Sequence, residues 1–168
     1  INRALERGVR IDIVVGDKTA NDFYIPPSEP FKVIAALPYL YELSLRRFAK
    51  SHQAMIDSGL LNLHLWRDGD NSYHLKGMWV DDRYTLLTGN NLNPRAFRLD
   101  LENGLLIDDP RRELLEPRRK ELDAIFAHTT RIDTFRQLET LTDYPPAVAK
   151  FLRRVSRVRI ERLLYRIL

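Results

Sequence analysis

Cysteine is absent from this chain, and histidine occurs only four times in 168 residues. No disulfide scaffold and no thiolate-held zinc site can be built from it, and four imidazoles leave little for a metal site of histidine alone. Long apolar runs are missing too. The longest, Val33 to Leu37, falls far short of the ~20 residues that cross a bilayer. No secretory signal is visible, and without cysteine nothing points to an oxidising compartment. Low-complexity segments and internal repeats are lacking as well. What remains is 44% hydrophobic and 30% charged, with aromatic residues scattered throughout, enough for one ordinary domain with a real core. The first residue is Ile1 rather than methionine, which points to a fragment or a processed product.

Charge is unevenly placed. The whole chain carries +4, but Lys150 to Leu168 alone holds seven Lys and Arg against one acid, a local +6. Residues 1–149 therefore carry −2 (+4 less +6). A basic chain suggests nucleic acid, yet a nuclease spreads its positive charge along the groove that holds the backbone. Here the charge belongs to one cationic segment, and no nucleic-acid partner is expected.

Along the chain, Asn2–Arg7 reads as the end of a helix stopped by Gly8, and Val9–Val15 as a strand entering a core. Residues 16–30 form a loop rich in Asp, Asn and Pro. Pro38 opens a helix expected to run to Ser58 and stop at Gly59. Leu61, Leu63 and Leu65 alternate with polar residues in a second strand. Tyr73–Val80 and Tyr84–Thr88 read as a hairpin around Asp81-Asp82-Arg83, with a further strand at Leu105–Ile107. Helices are expected at about 112–127 and 132–141, with a last one after Pro145-Pro146. Strands interleaved with helices indicate an α/β sandwich with a mixed sheet.

The chemistry sits in His74-Leu75-Lys76-Gly77-Met78-Trp79-Val80-Asp81, an H-x-K-x-x-x-x-D pattern. Residues two apart on a strand share a face, so His74 and Lys76 present an imidazole and an ammonium together. Such a pair suits phosphoryl chemistry: the imidazole attacks phosphorus or shuttles a proton, while lysine holds the phosphate oxygens. Asp81, near the hairpin turn, is better placed to brace backbone or a basic side chain than to touch substrate. After the next strand, Thr88-Gly89-Asn90-Asn91 can turn an amide back toward the same site. Glu102 either accepts a hydrogen bond from His74, fixing its tautomer, or is simply a charge beside a strand.

His74, Lys76 and Asp81 resemble the HKD motif of the phospholipase D superfamily, and Asn91 matches the Asn of that family's following Gly-Ser-x-Asn segment. Thr88-Gly89 stands where Gly-Ser is usual, so the choice among Asn90, Asn91 and Asn93 stays open. Arg7-Gly8-Val9 is similar to the segment that opens a catalytic half, and the resemblance covers about residues 1–130. The runs His74–Gly77, Gly89–Arg95 and Leu99–Asn103 resemble the family's bacterial phosphatidyltransferases acting on CDP-diacylglycerol and L-serine.

That resemblance implies a phospholipase D-like α-β-α sandwich in which two HKD halves share one active site. With one HKD present, residues 1–142 would be the C-terminal catalytic half, and its partner the N-terminal half of the same protein. The implied reaction needs no metal and no cofactor: one histidine forms a phosphatidyl-histidine, and serine then takes the phosphatidyl group. By family pattern the first-half histidine is the nucleophile, which leaves His74 as general acid and base, with Lys76 and Asn91 on the transition-state oxygens. A cardiolipin synthase, a phospholipase, or a binding module with a vestigial HKD are the competing readings.

Residues 143–168 read as a basic amphipathic helix. Ile160, Leu163, Leu164 and Ile167 recur at helical spacing, and Arg159, Arg162 and Arg166 gather opposite them. The stripe docks either on an anionic membrane surface or on protein. The segment with Leu37, Tyr39, Leu40, Tyr41, Leu43 and Phe48 likewise either lines a lipid entrance or belongs to the core. The expected location is cytoplasmic, at the inner face of the cell membrane.

Overall fold

The computed structural model describes residues 1–91 and 101–157. In chain order the elements are α1 (Asn2–Leu5), β1 (Ile11–Gly16), α2 (Leu37–Ser51), α3 (Gln53–Asp57), β2 (Leu61–Trp66), β3 (Gly77–Val80), β4 (Tyr84–Thr88), β5 (Gly104–Asp108), α4 (Leu115–Phe126), β6 (Thr129–Ile132) and α5 (Pro146–Arg157). Short 3-10 turns occupy Lys18–Ala20, Val33–Ala36 and Phe135–Gln137. Two compact units result: one from residues 1–73 with 128–154, the other centred on 74–127.

The first unit is built on a three-stranded mixed sheet in the order β1-β2-β6. β1 runs parallel to β2 with Ile11 opposite Leu61, and β6 runs antiparallel to it with Ile132 opposite Leu63. Occupying the centre, β2 is buried on both faces at its start: Leu61, Asn62 and Leu63 are all buried. Leu5, Ala49, Ile56, Leu61, Leu63, Ile132 and Leu138 form the core. Tyr39 and Leu40 are buried and Leu43 and Phe48 half-buried, so most of the α2 stripe is core.

Two sequence expectations fail here for identifiable reasons. The helix from Pro38 breaks at His52, where φ is −116° and ψ 16°. The His52 ring sits 2.9 Å from the Phe48 carbonyl and, through its other nitrogen, 2.9 Å from the Asn2 side chain. A contact to a residue 50 positions away redirects the chain, and no local pattern encodes it. The helix expected at 132–141 is instead the end of β6 and one 3-10 turn. Thr129 and Thr130 favour the strand, the Thr134–Gln137 capping box starts only a single 3-10 turn, and Leu138 returns to extended backbone at φ −85° and ψ 138°.

A polar network threads this unit. Lys18 Nζ lies 3.1 Å from Glu42 and 2.8 Å from Glu139, and Tyr144 donates to the Tyr39 carbonyl at 3.2 Å. Burial pulls the Lys18 ammonium down, but hydrogen bonding and charge from Glu139 and Glu42 outweigh it and hold Lys18 above the ordinary 10.5. Its stabilising contribution is therefore complete below the ordinary lysine range and is lost as pH rises through the raised value. Lys18→Met should cost about 2 kcal/mol, less than the ~3–5 kcal/mol of a fully buried pair because Glu139 is partly exposed. Urea denaturation at neutral pH measures the loss. An unchanged midpoint would mean that the two carboxylates find water without Lys18.

The second unit is an antiparallel meander, β3-β4-β5, followed by α4. Gly77 pairs with Leu87 and Val80 with Tyr84, while Tyr84 pairs with Asp108 and Leu87 with Leu105. At the hairpin tip Asp81 takes φ +52°. Ionic contacts brace that tip: Arg83 grips Asp108 with two bonds of 2.6 and 2.9 Å, and the buried Arg118 donates to Asp82 at 3.3 Å. Bonding to Asp108 holds the Arg83 guanidinium above its ordinary value, and the Arg83 bond lowers Asp108. The carboxylate of Asp109 accepts from the Glu113 and Leu114 amides and leads the chain into α4.

Val148, Ala149 and Leu152 of α5 are buried, and Phe151 packs on Phe31. The stripe Ile160, Leu163, Leu164 and Ile167, with Arg159, Arg162 and Arg166, lies outside the described residues, as do Asn93 and the rest of 92–100. Among the described residues no helix is long and apolar enough to cross a membrane.

Candidate active site

The strand expected from Tyr73 begins only at Gly77. Tyr73 gives its amide to the Ala20 carbonyl at 2.9 Å and stacks on Trp66 at 5.2 Å, so the ladder to β4 starts later. Burial pushes the Tyr73 phenol up. At Lys76 the carbonyl accepts from the Thr88 amide at 3.3 Å, which puts Lys76 across from Thr88. His74 and Lys76 do come together: Lys76 Nζ is 3.2 Å from His74 Nδ1. A lysine ammonium can only donate, so Nδ1 accepts and the proton of the neutral ring sits on Nε2. His74 itself is exposed.

The turn after β4 is tied to the segment before β5. Gly89 N bonds to the Asn103 carbonyl at 3.5 Å, Thr88 Oγ1 donates to the same oxygen at 3.3 Å, and Asn90 N donates to Thr88 Oγ1 at 3.0 Å. Glu102 packs directly on Gly89, where an added Cβ would stand 2.6 Å from its Oε2. That contact gives the Thr88-Gly89 departure a physical reason, since any larger residue at 89 would push the carboxylate aside. Asn91 is exposed at the end of this turn. Asp81 sits at the far end of β3, five residues or about 16 Å from Lys76, and the bracing carboxylates are its neighbour Asp82 and Asp108.

Sequence reasoning placed Asn91 on the motif and left Asn90 and Asn93 open beside it. The Asn90 side-chain oxygen is buried and meets no hydrogen-bond donor among the described residues. Its only sequence signal is membership of an Asn-Asn pair. Lys76 also continues the sheet face formed by Met78, Leu86 and Leu106, where Met78 is 53% and Leu106 67% exposed. An ammonium thus stands at the rim of an open apolar surface. Among the described residues no group of three or more His, Asp or Glu is placed to hold a metal ion.

A family model described as cardiolipin synthase, PLD-like domain, matches residues 1–128. The chain belongs to the phospholipase D-like family. A CDP-diacylglycerol–serine O-phosphatidyltransferase of Escherichia coli K12 is 57% identical to this phospholipase D-like chain over 168 residues, and one of Haemophilus influenzae is 57% identical over 164. The crystal structure of phosphatidylserine synthase from Haemophilus influenzae Rd KW20 matches with a TM-score of 0.95 and 56% identity over 99% of this chain. The α/β fold with its mixed sheet agrees with these matches. The chain spans 37% of the first relative, 36% of the second and 37% of the solved structure.

Gly89 offers a test of how the Glu102 carboxylate contributes. Gly89→Ala should displace that flexible side chain rather than the backbone, costing under about 1 kcal/mol of stability but about tenfold or more in turnover. Steady-state kinetics and a thermal melt separate the two effects. Wild-type turnover would mean that Glu102 serves the fold alone.

Proposed function

We propose that the protein carrying this chain transfers the phosphatidyl group of CDP-diacylglycerol to L-serine, giving phosphatidylserine and CMP. A histidine nitrogen attacks the lipid-linked phosphorus, the bond to CMP breaks, and a phosphatidyl-histidine forms. The serine oxygen then attacks that phosphorus, the P–N bond breaks, and the hydroxyl proton passes to an imidazole. His74 serves as general acid and base beside a nucleophilic histidine of the N-terminal half. Lys76 and Asn91 neutralise the phosphoryl oxygens, and Glu102 orders the site, with Asp81 in the hairpin turn. Neither metal nor cofactor enters this scheme.

The observation that carries the reading is the His74–Lys76 pair, with a donating ammonium on Nδ1 at the rim of an apolar face. A phosphate bearing two acyl chains suits that combination. The 57% identity to two enzymes with this named activity supports the choice of serine. In this reading residues 1–142 are the C-terminal catalytic half and 143–168 a basic amphipathic helix. The +6 of Lys150–Leu168 favours an anionic membrane surface at the cytoplasmic face, and the −2 of the body disfavours nucleic acid.

CMP release from CDP-diacylglycerol by the complete protein, with and without serine, is the deciding measurement. Release that requires serine supports the synthase. Serine-independent hydrolysis, or transfer to a phosphatidylglycerol acceptor, would replace it with a phospholipase or a cardiolipin synthase.

A further inference from the structure

The second half of α2 and the stretch from Phe135 to Thr142 line an open cleft of about 390 Å³ within the first unit. Three of its lining side chains are cations, Arg46, Arg47 and Lys50, and none is an acid. Arg46 is fixed in place: Nη1 donates to the carbonyls of Phe135 and Leu138, and the guanidinium lies 5.0 Å over the Phe135 ring. Lys50 Nζ sits 5.9 Å from the same ring. The nearby Asp143 accepts from the Thr140 hydroxyl at 2.7 Å and the Thr140 amide at 2.9 Å, which with charge from Arg46 and Lys18 lower its pKa, so it offsets part of the Arg46 charge and leaves Arg47 and Lys50 as the other cations that line the cleft. The helix dipole explains basic residues near the end of α2. It explains neither a concave gap between them nor the like-charge pair at positions 46 and 50, which an isolated helix disfavours.

We propose that this cleft binds the phosphate of an ester carrying a small organic group. A bare phosphate would leave most of the volume empty, whereas ligand clefts start at about 300 Å³. The ring of Phe135 and two leucines supply an apolar floor for the organic part, and the pre-positioned Arg46 lowers the ordering cost of binding. None of these residues belongs to the proposed active site. A membrane phospholipid headgroup and a soluble phosphate ester share the recognised chemistry.

The test uses the complete protein, titrated calorimetrically with sn-glycerol 3-phosphate and with inorganic phosphate. In parallel it is sedimented with vesicles of phosphatidylglycerol or of phosphatidylcholine. Arg47→Glu/Lys50→Glu should weaken glycerol 3-phosphate at least tenfold, and Arg47→Gln/Lys50→Gln by a smaller factor, with melting curves unchanged. Inorganic phosphate should bind more weakly than the ester. A matching loss of phosphatidylglycerol vesicle binding identifies the headgroup as the source; retained vesicle binding with lost glycerol 3-phosphate binding identifies the soluble ester. Absence of saturable binding to the ester and to both vesicles, or equal binding by wild type and both double variants, overturns the proposal.

Discussion

His74→Ala should lower serine-dependent CMP release by about 10⁴-fold or more while leaving the fold intact, because the side chain is exposed. The loss should fall on kcat, since the imidazole acts on the proton and the phosphorus rather than on the acyl chains. Lys76→Met should cost less, about 10²–10³-fold, because an ammonium aimed at phosphoryl oxygens stabilises charge without taking part in bond making. It should also remove the ammonium that donates to Nδ1. Rapid-quench trapping of a ³²P-labelled lipid in His74→Ala tells the roles apart. An adduct that forms but does not turn over fits the acid–base role; no adduct at all makes His74 the nucleophile. Activity near wild type would remove His74 from the site.

The largest stability effect is expected at Gly77. A Cβ there would lie 2.8 Å from the Leu86 carbonyl oxygen, a backbone atom inside the β3–β4 ladder. Nothing flexible can move aside, in contrast to Gly89, where the opposing atom ends a side chain. Gly77→Ala should therefore cost about 3 kcal/mol and loosen the hairpin just beyond Lys76. A shift of the urea midpoint with a parallel loss of activity is the expected pair of results. An unshifted midpoint would mean that the hairpin opens and recloses around the methyl at little cost.

Local spacing made much of this legible before any coordinates. His74 and Lys76 meet because an i, i+2 relation survives even where the chain is extended without being ladder-bonded. The meander was visible because Asp81-Asp82-Arg83 separates two β-rich runs. What escaped depends on distant partners. The break at His52 needs Asn2; the four residues of β6 are a strand only because β2 offers an edge. Nor does any pattern say that Glu102 rests on Gly89, thirteen positions earlier. Motif position left the choice among Asn90, Asn91 and Asn93 open, because burial, not residue type, distinguishes Asn90 from Asn91.

The first unit is assembled from two separated stretches of chain, 1–73 and 128–154, with 74–127 between them. On a ribosome adding about 5–20 residues per second, the intervening ~50 residues take roughly 3–10 s to emerge. Throughout that interval β1 and β2 can pair, but β2 keeps a bare edge, and Ile132, Leu138 and Leu152 have not yet arrived to cover the core. The hairpin bearing Lys76 meanwhile needs only neighbours already made. A nascent chain stalled before Thr129 would thus display a finished β3–β4 hairpin and an adhesive, half-built sheet, the kind of intermediate that holdase chaperones retain.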